Sequence, residues 1–312
     1  MKKTIVIGHD NSDTDSVCAA VAMAELLKAK GKKAVAMRKG SLNKETAFAL
    51  EFAGATKKVK SIKNDEIKGE EVFFVDFNEK AQSPIKGENY KLIGLIDHHK
   101  LSGDFKTEEP ILFRIEPIGS TSTLVAKLYF EKEIEIEKWV AKLMLAGIIS
   151  DTLNLTSPTA TEEDSLWLRR LSAVTGVDTT KLADNLFEAK SDLSDFSPRE
   201  IVKLDYKNFD FGGTKVGIGV VETVKPEKIK FLEPELKKAL AEIKKEENLD
   251  LIYLGIVDIL KNRTEMLLIG EREKALIMKV FSDIVISENN LILRGVVSRK
   301  KQIAPMIEKG LE

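Results

Sequence analysis

The chain holds three histidines, His9, His98 and His99, and each stands close to an aspartate just after a short apolar run. Imidazoles and carboxylates gathered in this way form a donor set for a divalent cation, and nitrogen donors favour manganese, iron, cobalt or zinc over magnesium or calcium. In Gly8-His9-Asp10-Asn11-Ser12-Asp13-Thr14-Asp15-Ser16, Asp13 and Asp15 lie in a strand-to-helix connection where alternate side chains can diverge to serve neighbouring ions. The helix beginning near Asp15 directs free backbone N–H groups at the same place and favours a phosphate there. An Asp-rich capping loop without metal would use the same spacing.

Asp76 follows the apolar run Val72-Phe73-Phe74-Val75, and a carboxylate at such a strand end can bridge two cations. In Asp97-His98-His99, one imidazole can ligate while the other contacts substrate, and Asp97 can orient a ring by accepting its second N–H. Asp151 follows a long apolar helix, where a buried carboxylate is costly unless a ligand role neutralises it. Together these residues offer two imidazoles and four carboxylates for two ions, with one imidazole left over. Two ions ~3.5 to 4 Å apart can hold a bridging hydroxide for in-line attack and neutralise phosphoryl oxygens. Near the C-terminus, Ser298-Arg299-Lys300-Lys301-Gln302 carries basic groups that match phosphates, the arginine bidentately, although a solvated basic turn would read the same way. Lys207, in Asp205-Tyr206-Lys207-Asn208-Phe209, reads on its own as a surface lysine. No serine or cysteine triad competes, and neither a Gly-x-Gly-x-x-Gly fingerprint nor a P-loop is present.

Separated segments can deliver these groups to one place only if the fold brings strand ends together. The first half alternates short β-branched runs with longer amphipathic stretches, the pattern of an α/β domain whose parallel sheet is covered by helices. Thr4 to Gly8, Ala34 to Met37, Val72 to Val75 and Leu92 to Ile96 read as strands, and Asp15 to Lys30 and Lys44 to Phe52 as helices. In open α/β sheets the ligand crevice lies beyond the carboxyl ends of the strands, where His9, Asp76 and Asp97-His98-His99 fall. From Gly119 to Ala189 the chain reads as helical, with N-cap candidates in Gly119-Ser120-Thr121-Ser122-Thr123 and at Thr159 or Thr161. A short polar stretch ending at Pro198 marks the expected boundary, giving domains 1–190 and 198–312 with a hinge over 191–197. Beyond it, Lys215 to Val224, Leu249 to Asp258 and Arg263 to Ile269 read as strands, and Glu233 to Glu247 as a surface helix.

At 312 residues the chain is long enough for two domains. With 49 basic and 50 acidic residues it has no global field drawing it to nucleic acid or an anionic membrane, so an anion must be gripped locally. The single cysteine, Cys18, excludes an intrachain disulfide framework and reads as a packed helix residue. No run approaches the ~20 apolar residues of a membrane span, and the N-terminus lacks a signal-peptide core, so a cytoplasmic protein is expected. The Lys- and Glu-heavy composition would also suit a thermophile.

Taken in order, the motifs resemble those of the manganese-dependent family II inorganic pyrophosphatases, within the DHH phosphoesterase superfamily, over essentially the whole chain. The opening Gly-His-x-Asn-Pro-Asp-Thr-Asp segment is matched by Gly8 to Asp15, except that Ser12 replaces the proline, and the closing Ser-Arg-Lys-Lys-Gln by Ser298 to Gln302. The resemblance implies an N-terminal DHH domain and a smaller C-terminal DHHA2-like α/β domain with a mixed sheet, and hydrolysis of pyrophosphate to two orthophosphates at a site between them. It makes His9, Asp13, Asp15, Asp76, His98 and Asp151 the manganese ligands. Asp76 and Asp151 would bridge, His9 and Asp13 would complete one site, and Asp15 and His98 the other. His99, Lys207, Arg299 and Lys300 would hold pyrophosphate with Asn11 assisting, Asp13 would accept the proton of the attacking hydroxide, and Asp97 would support the ring beside it. Magnesium would enter with substrate, cobalt could replace manganese, and a homodimer would join the first domains. One departure stands out: the family's Asp-His-Asn-Glu is Asp76-Phe77-Asn78-Glu79 here, which predicts a lost contact near the substrate. The alternative is a DHH phosphodiesterase acting on short oligonucleotides or cyclic dinucleotides. Such enzymes carry a C-terminal Gly-Gly-Gly-His motif, whereas this chain has no histidine after His99.

Overall fold

A computed structural model of the chain describes residues 3–62, 67, 70–87, 89–287 and 290–312. Lys2, one of the two N-terminal lysines, lies outside them. The chain divides into two compact units, Met1–Ala189 and Lys190–Glu312.

The first unit carries strands β1 (Lys3–Ile7), β2 (Lys33–Arg38), β3 (Val59–Ser61), β4 (Glu71–Val75), β5 (Lys91–Asp97) and β6 (Leu112–Ile115). Its helices are α1 (Thr14–Ala29), α2 (Lys44–Phe52), α3 (Thr121–Glu131), α4 (Lys138–Thr152), α5 (Glu162–Thr175) and α6 (Thr179–Lys190). All the strands pair in parallel, in the order β3-β2-β1-β4-β5-β6. β1 and β4 are almost wholly buried apolar runs, as central parallel strands covered on both faces must be. Strand order reverses direction between β1 and β4, so the crevice of this sheet opens beyond their carboxyl ends. His9 follows β1 there, Asp76 follows β4 and His98 follows β5.

Helix starts are set by local chemistry. Asp13 caps α1 by accepting from the Ser16 N–H, and Thr161 and Asp164 form a reciprocal capping box at α5. Asp151 differs from its expected place after the long apolar helix. It lies inside the last turn of α4, which continues through Ser150-Asp151-Thr152 and ends at Leu153 in the left-handed region, φ 49°. The short edge strands β3 and β6 also fall outside the sequence reading.

The second unit contains α7 (Pro198–Lys203), β7 (Asp205–Phe211), β8 (Thr214–Thr223), α8 (Pro226–Lys230), α9 (Glu233–Glu246), β9 (Leu251–Asp258) and β10 (Arg263–Leu267), followed by α10 (Glu271–Val280), β11 (Ile284–Ser287), β12 (Asn290–Arg294) and α11 (Ala304–Leu311). The sheet is mixed, ordered β11-β12-β10-β9-β8-β7, with β8 and β9 parallel and the remaining pairs antiparallel. β9 is buried along its whole length because both faces are covered. Leu251, Tyr253 and Val257 pack with Leu276, Ile277 and Ile307 on one side. Ile252, Leu254 and Ile256 pack with Leu236, Leu240 and Ile243 on the other, the alternation a strand requires. Among the described residues no helix is long and apolar enough to cross a membrane.

Candidate metal centre

The loop after β1, the first turn of α1, the residues after β4 and β5, and the last turn of α4 bring six of the sequence-predicted residues together. Ligand atoms of His9, Asp13 and Asp76 lie within 4.8 Å of one another, as do those of Asp15, Asp76, His98 and Asp151. Asp76 belongs to both groups, whereas Asp151 enters only the second. His99 forms a further group with Asp76 and His98.

Asp76 is the hinge of the arrangement. Its Oδ2 lies 3.6 Å from His9 Nε2 and its Oδ1 3.5 Å from His98 Nε2, so the two oxygens address different rings. The backbone there is left-handed, φ 67°, a conformation that costs a non-glycine residue energy and that clusters at functional sites.

Both rings are turned the same way for the same reason. His9 Nδ1 lies 2.9 Å from the Asp10 carbonyl oxygen, and His98 Nδ1 lies 2.9 Å from that of Ile118. A carbonyl only accepts, so each Nδ1 carries the proton and each Nε2 faces the cluster with its lone pair. Among the described residues, buried His98 Nε2 has no hydrogen-bond partner, although Asp151 Oδ2 is 3.3 Å away. A lone pair facing carboxylate oxygens needs positive charge between them, either a proton or a metal ion. The residues present therefore fit a cation.

The carboxylates bear the same mark. Burial, with the charges of Asp15, Asp13 and Asp151, drives Asp76 well above the usual carboxylate range. Burial and then Asp15 push Asp151 up to about 7, and burial raises Asp15 as well. Burial alone would pull His98 down, but Asp151 and Asp15 outweigh it and lift the ring to about 9. A cluster that holds protons this tightly is one whose charge is uncompensated, which is what divalent cations remedy.

Each remaining side chain has a definable post. Asp13 uses Oδ1 to cap α1 and points Oδ2 toward His9 Nε2, 3.6 Å away, so capping and ligation are both open to it. Asp97 is fully buried; its Oδ1 accepts from His99 Nδ1 at 2.8 Å and its Oδ2 from Asn78 Nδ2 at 2.5 Å. Burial would raise this carboxyl, but those bonds, His99 first, hold it below the usual range, so it remains an acceptor and keeps the Nδ1 proton on His99. His99 is consequently oriented yet half exposed. Asn11 stands exposed at the loop tip at φ 53°. Asn78 and the turn from Ser120 to Ser122, which grips Asp15 through the Ser120 hydroxyl and the N–H groups of Thr121 and Ser122, carry no sign of a site role in the sequence.

The chain matches the DHH family, N-terminal domain, over residues 3–148 and the DHHA2 domain over residues 184–309. It is 40% identical over 312 residues to a probable manganese-dependent inorganic pyrophosphatase of Bacillus velezensis, covering 100% of this chain and 99% of that protein. To the manganese-dependent inorganic pyrophosphatase of Bacillus subtilis it is 39% identical, with the same coverage. This chain belongs to the family II manganese-dependent inorganic pyrophosphatases. The crystal structure of a candidate family II inorganic pyrophosphatase from Methanococcus jannaschii is similar with a TM-score of 0.65 and 37% identity, over 98% of this chain and 99% of that one. An exopolyphosphatase-related protein from Bacteroides fragilis, 15% identical at a TM-score of 0.51, shares the fold.

Against the family II pattern, the two departures are accommodated differently. Ser12, in place of proline, closes the loop by donating from Oγ to the His9 carbonyl oxygen at 2.6 Å. Phe77 is fully buried against Phe74 and Phe105, at 4.7 and 6.1 Å between ring centres, and faces the apolar core. Its side chain takes no place in the metal cluster, so the exchange is absorbed by packing.

In the second unit, the family's closing signature builds a loop. Gln302 Oε1 accepts from the N–H groups of Val297 and Ser298, and Ser298 Oγ accepts from the Lys301 N–H. These bonds hold residues 299–303 in a π-helical turn, a form often found at functional sites. Arg299 and Lys300 thereby line a cavity of about 460 Å³ together with Lys207, Phe209, Phe211 and Glu308. Arg299 Nη2 pairs with Asp205 at 2.7 Å, while its buried Nη1 has no hydrogen-bond partner among the described residues. Lys207, exposed on β7, thus shares one cavity with the two signature cations.

Proposed function

We propose that the chain hydrolyses inorganic pyrophosphate to two orthophosphates, with two manganese ions held by His9, Asp13, Asp15, Asp76, His98 and Asp151. The observation that carries this reading is the divided Asp76 carboxylate, whose oxygens face His9 and His98 at 3.6 and 3.5 Å. One buried carboxylate addressed to two imidazoles suits a pair of neighbouring ions, and the chain's family uses manganese. Bound there, manganese supplies positive charge for phosphoryl oxygens and lowers the pKa of water, so that a nucleophile exists at neutral pH.

The chain's own groups supply the rest. Asp13, with Oδ1 engaged in capping, offers Oδ2 to receive a proton. His99, held by Asp97, presents Nε2 to the substrate. Lys207, Arg299 and Lys300 match the negative charge of pyrophosphate and of the departing orthophosphate, and Asn11 adds an amide. Asp151 would help hold the ions beside Asp15, Asp76 and His98, the second bridging carboxylate that the family resemblance implies. A DHH domain over 1–190 and a DHHA2-like domain over 198–312 hinge at 191–197 to admit substrate and release product. Magnesium accompanies the substrate, cobalt can stand in for manganese, and the protein works as a cytoplasmic homodimer.

Orthophosphate release by metal-stripped protein, with manganese or magnesium restored, tests the reading directly. Pyrophosphate should be hydrolysed, and a short oligonucleotide and a cyclic dinucleotide should remain intact. Cleavage of the phosphodiesters without pyrophosphate hydrolysis would move the assignment to a DHH phosphodiesterase.

A further inference from the structure

Asp15 and Asp76 reach the cluster from different elements, yet one residue touches both. Thr121, the first residue of α3, donates its backbone N–H to Asp15 Oδ2 at 2.7 Å and its Oγ1 hydroxyl to Asp76 Oδ1 at 2.8 Å. All three side chains are buried to 1% exposure or less, so no water replaces these bonds freely. Among the described residues no other hydrogen bond reaches the Asp76 carboxylate.

The donors also choose which oxygens stay available. Each carboxylate oxygen accepts at about two positions. Asp15 Oδ1 is filled by the Ser120 hydroxyl at 2.9 Å and the Ser122 N–H at 3.0 Å, whereas among the described residues Oδ2 takes only the Thr121 N–H. Asp76 Oδ1, with one position taken by Thr121, keeps the other on the side of His98 Nε2. Thr121 therefore leaves one lone pair open on the oxygen it binds in each carboxylate, with Asp76 Oδ2 left to face His9, and it fixes the direction of both.

Thr121 is itself held from behind. Asp164 accepts from the Gly119 N–H at 2.8 Å and from Thr123 Oγ1 at 2.6 Å, tying both sides of the turn to the capping box of α5. The fit is close: a Cβ on Gly119 would fall 2.8 Å from Asp164 Oδ2, and one on Gly147 of α4 would fall 2.6 Å from Asp15 Oδ1. The bond from Thr121 to Asp76 spans 45 residues and that to Asp15 spans 106, so the turn is a clamp between distant parts of the chain.

We propose that Thr121 is a positioning residue for the metal centre, aiming the Asp15 and Asp76 carboxylates at the cation they share with His98 and Asp151. This rests on the two-ion reading of the site, and its test is separable from turnover. Thr121→Val keeps the backbone bond to Asp15 and nearly the same volume but removes the hydroxyl; Thr121→Ser keeps the hydroxyl. Manganese affinity of the metal-stripped full chain would be measured by calorimetry for each, beside thermal melts without metal. Thr121→Val should bind manganese about 10- to 100-fold more weakly, the usual effect of losing a group that orients a ligand, and Thr121→Ser should bind within about threefold of wild type. Should the valine variant not fold, Thr121→Ala replaces it, with the same weakening expected. A valine or alanine variant that folds and binds manganese as tightly as wild type overturns the proposal, as does a serine variant weakened as much as valine. If wild-type protein binds manganese but hydrolyses no pyrophosphate, the functional reading fails while the affinities still judge Thr121.

Discussion

Raising the pH from 6 to 8 should tighten manganese binding by close to three orders of magnitude. Ligation needs Asp151 as a carboxylate and His98 as a neutral ring, and binding must expel any proton they hold. In the metal-free protein, burial and Asp15 push Asp151 up to about 7, and Asp151 with Asp15 overcomes burial to lift His98 to about 9. At pH 6 the two groups weaken apparent affinity by factors of about 11 and about 1,000, and at pH 8 by about 1.1 and about 11, a ratio near 900. Titration calorimetry at both pH values, in buffers of different ionisation enthalpy, would give the affinity and count the protons released. Equal affinity at pH 6 and 8, or binding without proton release, would refute the reasoning. The same groups set the stability of the metal-free protein. Both hold protons more tightly folded than unfolded, so the native state binds more protons and stability falls as pH rises. Asp151 contributes that loss between its ordinary 3.8 and about 7, and His98 between 6.5 and about 9. Melting curves with saturating manganese should reverse the slope.

Asp151→Asn should weaken manganese binding yet raise the metal-free melting temperature at pH 8 by about 2–4 °C, because it removes repulsion with Asp15; an unchanged manganese titration would remove Asp151 from the ligand set. Arg299→Ala should lower kcat/KM for pyrophosphate about 100-fold or more with manganese affinity unchanged, and Arg299→Lys should not restore it, since a lysine cannot hold Asp205 and a phosphate with one planar fork. Full turnover at low substrate in either variant would contradict the role. Phe77→His should destabilise the fold by about 1–3 kcal/mol in denaturant unfolding, by placing a polar ring in the apolar cluster, without strengthening manganese or substrate binding. A gain in either would return position 77 to the site.

The metal cluster was legible because His9, Asp76 and His98 each follow an apolar run, and a parallel sheet lines up the carboxyl ends of its central strands. Helix α2 spans Lys44–Phe52, the bounds read from the sequence, and Asn43 caps it. What escaped notice has long-range causes. Ser120 and Thr121 read locally as cap candidates, and Ser120 does cap α3. Nothing nearby in sequence signals that their donors meet Asp15 and Asp76. Lys207 carries no local pattern at all; β7 pairing beside β8 and the turn held by Ser298 and Gln302 bring it to the cavity of Arg299. Asp151 reads as lying past the helix end because polar residues after an apolar run usually mark a stop, whereas α4 continues for one polar turn toward the cluster.

The most direct measurement is the anomalous scattering of manganese from crystals of the manganese-loaded protein. Two peaks per chain should appear, about 3.5–4 Å apart, with Asp76 Oδ1 on one ion and Oδ2 on the other. A single peak, or two ions with Asp76 bound to only one of them, would contradict the bridging role on which the two-metal site depends.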